Sequence, residues 1–347
     1  FKEMCFRLGL RMSVVFVSRG ACSVIASLFF DVYRLHPFDR VLIEIVFSIE
    51  FLYLIPIYSA VFILKHPIRN SPNRVYAKPK YLGRAMGMFP AGYGLAMAVR
   101  LLSVLIGSLF ARGTAVGDSF HATEDLFTAV SDMPTAVVTF IQLAVIAPIF
   151  EELWFRGLVM ESLRPYGNGF AILISAILFG LTHSNFEQFF YATALGVFLG
   201  YIAVSTRSIV TTTIMHAMFN SISGVMVLLS ADESVGDYLL AEDPSTVEVT
   251  PGIALYTAWM VLVLLLMAVG IIMLIYKLIK IKKYRVPKVQ TEISSPRRWG
   301  IFLSRVTVIV MLVLAADSFT LNLIPSTVYF LLTDPSLIPI YYQHIFG

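Results

Sequence analysis

Read for runs of apolar residues, the chain divides into nine stretches that approach or exceed the roughly 20 residues a helix needs to cross a bilayer. They fall near 7–30, 38–64, 85–110, 136–160, 170–184, 186–204, 208–230, 253–276 and 301–332. The first two carry internal charges, Arg11, Arg19, Glu44 and Glu50. The fifth is short and reads as a tilted or partial crossing. The last contains Asp317 and Pro325 and reads as a broken helix, or as a span followed by an interfacial segment. The expected fold is all-α, a polytopic bundle of about 8–9 transmembrane helices enclosing a polar cavity.

The polar loops orient these spans. Segment 65–84 is basic (Lys65, Arg69, Arg74, Lys78, Lys80, Arg84), and so is 277–298, with Lys277, Lys280, Lys282, Lys283, Arg285, Lys288, Arg297 and Arg298. Segment 111–133 carries Asp118, Glu124, Asp125 and Asp132 against Arg112. Segment 231–250 carries Asp232, Glu233, Asp237, Glu242, Asp243 and Glu248 with no Lys or Arg. Basic loops stay on the cytoplasmic side, which puts both acidic loops outside with the correct parity of spans between them. The N-terminus is then expected inside and the C-terminus outside. The basic loops themselves read as topology determinants lying against anionic headgroups.

Composition agrees. The 347 residues are 58% hydrophobic and only 14% charged, where a soluble domain has about 25% charged residues. The net charge of +4 follows the loops and does not call for a nucleic-acid partner. Cys5 and Cys22 lie in the first apolar stretch and offer neither a disulfide framework nor a metal-type pair. We divide the chain into N-terminal helices with their basic loop (1–135), a chemically distinctive core (136–230), and an acidic loop with C-terminal helices (231–347).

The core earns that description from charge in the wrong place. After 134–149, which contains no charged residue, comes Phe150-Glu151-Glu152-Leu153-Trp154-Phe155-Arg156-Gly157. Charge deep in a membrane span is costly and usually functional. Neighbours on a helix point about 100° apart, so Glu151 and Glu152 are expected to take different jobs. Arg156 stands four residues after Glu152, the spacing of an intrahelical ion pair. That leaves Glu151 for chemistry, since a carboxylate in a partly desolvated site is a usable general base.

Two further spans add histidines. In Phe179-Gly180-Leu181-Thr182-His183-Ser184-Asn185, Phe179 and His183 share a helical face, as do His216 and Asn220 in His216-Ala217-Met218-Phe219-Asn220. At about 1.5 Å per residue, Glu151, His183 and His216 lie roughly 15, 18 and 12 Å from the cytoplasmic ends of their helices. They are therefore expected to meet at one depth. A glutamate base, two histidines and an asparagine suit amide hydrolysis. Glu151 and His183 would polarise a water, and His216 and Asn220 would donate to the carbonyl oxygen as it gains charge. Glu151, His183 and His216 are equally a metal set of the kind that holds zinc, and the pattern supports both. No HExxH or G-x-S-x-G motif is present.

Taken in order, Glu151-Glu152-x-x-x-Arg156, Phe179-x-x-x-His183 and His216-x-x-x-Asn220 resemble the three-motif signature of the CPBP (CAAX protease and bacteriocin-processing, or Abi) family, which includes the type II CAAX prenyl endopeptidases. The resemblance implies an intramembrane peptidase in which Glu151, His183 and His216 are catalytic and Asn220 lies in the oxyanion site, supported by Glu152, Arg156 and Phe179. It implies a membrane-associated peptide or protein as substrate, the lipid bilayer as surroundings, and a multi-pass protein of a bacterial cell membrane. The extra C-terminal helices depart from the family's usual context. Two other readings compete: a scaffold or immunity protein of the same fold that uses the polar cluster for structure alone, and a proton-coupled transporter. Against the transporter, no internal repeat is present.

Overall fold

A computed structural model describes residues 1–33, 81–110, 132–241, 243–280 and 293–320, with isolated positions between 281 and 292. The expected span 38–64 with Glu44 and Glu50, most of both loops flanking 85–110, and Pro325 lie outside the described residues. Among those described, the regular structure is helical and no strand occurs.

The helices are α1 (Lys2–Tyr33), α2 (Phe89–Gly107, preceded by the short turn Leu82–Met86), a long composite helix α3 (Met133–Tyr166), α4 (Asn168–Leu181), α5 (Phe186–Thr206), α6 (Ile209–Ser230), α7 (Glu233–Leu240), α8 (Pro251–Ile279), α9 (Ser295–Leu303) and α10 (Val306–Thr320). Five spans, from Leu82–Gly107, α3, α5, α6 and α8, are long and apolar enough to cross a membrane, or six if the bent pair α9–α10 counts as one. The expected 8–9 spans are therefore not reproduced among the described residues. The fifth expected crossing is the 14-residue α4, which is apolar but too short to span alone.

The last expected span is broken among the described residues: the chain bends by 68° at Ser304 and Arg305. Arg305 Nε donates to Ile301 O and Arg305 N donates to Phe302 O. These bonds satisfy the last carbonyls of α9 and end it.

Local chemistry explains α3. Asp132 caps it, accepting from the Thr135 amide at 2.9 Å, and Pro134 occupies the first turn. Pro148 then lies in the helix interior, where its ring has no N–H for the Ala144 carbonyl and crowds it. The helix meets this by widening to a π-helix over Gln142–Ile146, returning to α over Ala147–Glu151, and widening again over Glu152–Met160. Side chains from neighbouring helices tie down both wide segments. Asn220 Nδ2 donates to Leu143 O at 2.8 Å, and Ser175 Oγ donates to Phe155 O at 2.8 Å.

The helices around α3 pack through small residues. A Cβ on Gly94 of α2 would stand 2.2 Å from the Gly270 backbone of α8, and one on Gly92 would meet the Phe198 ring of α5. A Cβ on Gly196 of α5 would meet Ala176 of α4 at 2.9 Å. These contacts seat α2 between α5 and α8, and α5 against α4. Helix α8 is mostly exposed on its long sides, with only Ile253 and Gly270 buried. On the other flank α1 packs on α10, and Thr307 Oγ1 donates to Phe6 O at 2.8 Å. At the acidic loop, Asp232 caps α7, and its bonds from Ser234 hold its carboxyl below the usual carboxylate range.

Candidate active site

Three elements deliver the candidate residues: the centre of α3, the C-terminal end of α4 and the middle of α6. Glu151 closes the α-helical section of α3 and Glu152 opens the following π-helical section. Glu152 and Arg156 are among the most deeply buried side chains in the protein, at 0% and 1% exposure. They are joined at 2.7 Å between Arg156 Nη1 and Glu152 Oε1, as the spacing predicts. Arg156 also reaches Gly196 O of α5 at 3.4 Å and stacks its guanidinium over the Phe179 ring, 4.8 Å from the centroid.

The expected division of labour between the two glutamates is modified by His216, which touches both. Its Nδ1 is 3.0 Å from Glu152 Oε1 and its Nε2 is 3.6 Å from Glu151 Oε2. A carboxylate only accepts, so Nδ1 carries a proton and donates to Glu152. The same rule applies to His183. Its Nδ1 lies 3.0 Å from Phe179 O, and a carbonyl also only accepts. Both imidazoles are thus held with Nδ1–H toward a fixed acceptor.

Phe179 is the common wall. His183 and His216 both meet its ring edge-on, with centroids at 5.0 and 5.6 Å, and Phe155 packs against it at 5.2 Å. The sequence pattern paired Phe179 with His183 only. Its contact with His216 and Arg156 comes from the tertiary packing of α4 on α3 and α6. Glu151, with its side chain 18% exposed, is the more accessible of the two carboxylates. Trp154, one turn along, is buried.

Asn220 shares the α6 face of His216 and directs one amide N–H to Leu143 O, leaving its second amide hydrogen for another acceptor. Just past His183 stand two further polar residues, Asn185 and Glu187, of which Asn185 is a helix cap. Its Oδ1 accepts from the Gln188 amide at 2.8 Å, and its Nδ2 donates to His183 O at 3.0 Å. Glu187 is buried and bonded at 2.9 Å to Arg100 Nη2 of α2. Arg100 is a charge within the expected span 85–110, and no local spacing links it to Glu187, 87 positions away.

The described residues contain no group of three His, Cys, Asp or Glu side chains placed to hold a metal ion. Glu151, His183 and His216 are near neighbours without forming a ready coordination sphere. The arrangement has two glutamates of unequal exposure, two histidines with oriented tautomers and an amide donor, all against one aromatic wall.

Comparison with known proteins falls on this same segment. Residues 133–222 match the family model described as type II CAAX prenyl endopeptidase Rce1-like. A curated Bacillus subtilis (strain 168) protein named "Putative membrane peptidase YdiL" is 26% identical over 142 residues, covering 38% of this chain and 55% of that protein. The chain thus spans about half the length of the curated relative it matches. No solved structure matches. The family model and the relative bear out the resemblance of this segment to the CPBP peptidases.

Proposed function

We propose that the protein is a membrane-embedded, glutamate-dependent endopeptidase that hydrolyses a peptide bond in a membrane-associated peptide or protein. The observation that carries this reading is the placement of Glu151, the more exposed carboxylate, beside His216 Nε2, within the segment that resembles CAAX endopeptidases.

In this reading Glu151 takes a proton from a water molecule while His183, its ring held by the bond of Nδ1 to Phe179 O, helps orient that water through Nε2. The water oxygen bonds to the scissile carbonyl carbon, and the carbonyl oxygen gains charge. His216 donates to that oxygen through Nε2 when that nitrogen carries a proton, while Glu152 accepts from Nδ1. The second N–H of Asn220 is the other donor. Collapse of the tetrahedral species breaks the C–N bond, and the proton held by Glu151 passes to the departing amine. Glu152 and Arg156 are the supporting ion pair, and Phe179 sets the spacing of the two imidazoles.

The test uses purified protein in proteoliposomes with a panel of membrane-anchored peptides. Glu151→Gln and His183→Ala are expected to lower cleavage by about 10²-fold or more with the thermal unfolding midpoint unchanged. Full activity in both variants overturns the assignment.

A further inference from the structure

The reaction sketched above makes no use of the buried ion pair between Arg100 on α2 and Glu187 on α5. Glu187 is almost wholly buried, and Arg100 is about one-third exposed. The guanidinium also lies over the Tyr191 ring, 5.9 Å from its centroid and one helical turn beyond Glu187. Taking the Glu187 carboxylate out of water costs desolvation that the Arg100 guanidinium must offset. Fold stability alone does not account for it, because α2 and α5 already pack closely through Gly92 against Phe198.

Its position in the chain gives it a use. Glu187 stands in the first turn of α5, immediately after the corner that carries His183. That corner is tightly specified. Ser184 adopts φ 57°, in the left-handed region, where a non-glycine residue is uncommon. Asn185 then caps α5 while its Nδ2 holds the His183 carbonyl. The His183 ring in turn owes its tautomer to Phe179 O. The bonds of the corner itself are local, and the Arg100–Glu187 pair ties it to another membrane helix.

We propose that Arg100 and Glu187 are positioning residues: their ion pair anchors the His183 corner and thereby sets the orientation of the His183 imidazole. The role in turnover rests on the peptidase reading; the role in holding the ring does not. The two are separated by measuring both. In full-length protein labelled with ¹⁵N-histidine and reconstituted in lipid, His183, assigned by its loss in His183→Ala, is expected to show the Nδ1–H tautomer. Arg100→Ala is expected to mix the tautomers and to lower kcat by about 10 to 100-fold with KM changed less than threefold, as for a misplaced catalytic group. The exchange Arg100→Glu with Glu187→Arg restores the pair with reversed polarity and is expected to recover the tautomer and most of kcat. Arg100→Lys covers the case in which the alanine variant does not fold, and is expected to keep the Nδ1–H form. An unchanged His183 signal in a folded Arg100→Ala protein overturns the proposal, as does a kcat that falls only in proportion to lost folded protein. If no peptide is cleaved by the unaltered protein, the peptidase reading fails while the tautomer result still decides the positioning role.

Discussion

At the scale of single residues, the strongest constraint is the pair Glu152 and Arg156 in a site closed to water. Removing one partner of a buried ion pair typically costs about 3–5 kcal/mol, because the other charge is left uncompensated. Arg156→Ala is therefore expected to lower stability by that amount, read as a reduced denaturation midpoint in detergent. Glu152→Leu with Arg156→Met should recover much of the loss, since two apolar side chains need no counter-charge. The double variant should still be poorly active, because His216 loses the carboxylate that accepts from Nδ1. The pairing itself was legible in the sequence from the four-residue spacing. The second partner of Glu152 was not. His216 lies 64 positions away, and no local rule links a carboxylate on one helix to an imidazole on another. Asn220 shows the same limit. Its face was predictable, but its bond to Leu143 O depends on the π-helical winding that Pro148 imposes on α3.

At the scale of elements, the three polar motifs on α3, α4 and α6 meet because short connections return the chain across the bundle. Gly167 turns it with φ 122°, Ser184 with φ 57° and Arg207 with φ 54°. Periodicity located α3, α5, α6 and α8 well, since each is long and apolar. It did less well for α4, which is apolar but short, and for the C-terminal pair, where the position of the bend at Ser304 and Arg305 has no signal in a run of apolar residues. The close approaches between helices were invisible in the sequence, because a glycine within a span looks the same whether it faces lipid or another backbone. Gly94→Leu is the sharp test. Its side chain would need the space filled by the Gly270 backbone, so helices α2 and α8 must separate. Overpacking of this sort typically costs about 1–3 kcal/mol or more. The expected result is a lower yield of folded protein, while Gly83→Leu, where a Cβ meets nothing within 4 Å, should be tolerated.

At the scale of the whole molecule, the protein is a multi-pass helical membrane protein. The expectation that its acidic loop faces outward and its basic segment inward rests on charge distribution. In a background lacking Cys5 and Cys22, cysteine at exposed Ser245 should react with a membrane-impermeant maleimide on intact cells. Cysteine at exposed Arg297 should react only after permeabilisation. The reverse pattern would place the candidate residues nearer the other face and invert the expected side of substrate entry. The candidate constellation was readable at this scale because its depths were consistent on every helix, whereas its fine geometry depends on packing that no span count contains.

The glycine contact between α2 and α8 carries a mechanical consequence. Helix α8 has 29 residues, about 43 Å of helix against a hydrocarbon layer about 30 Å thick, so it accommodates the difference by leaning or by extending into the headgroups. In a thinner bilayer it must lean further. At Gly94 and Gly270 two backbones touch with no side chain between them to absorb the movement. The lean is therefore passed to α2, which carries Arg100 and, through Glu187, the corner that bears His183. Lipid acyl length becomes a physical variable acting on the histidine from two helices away.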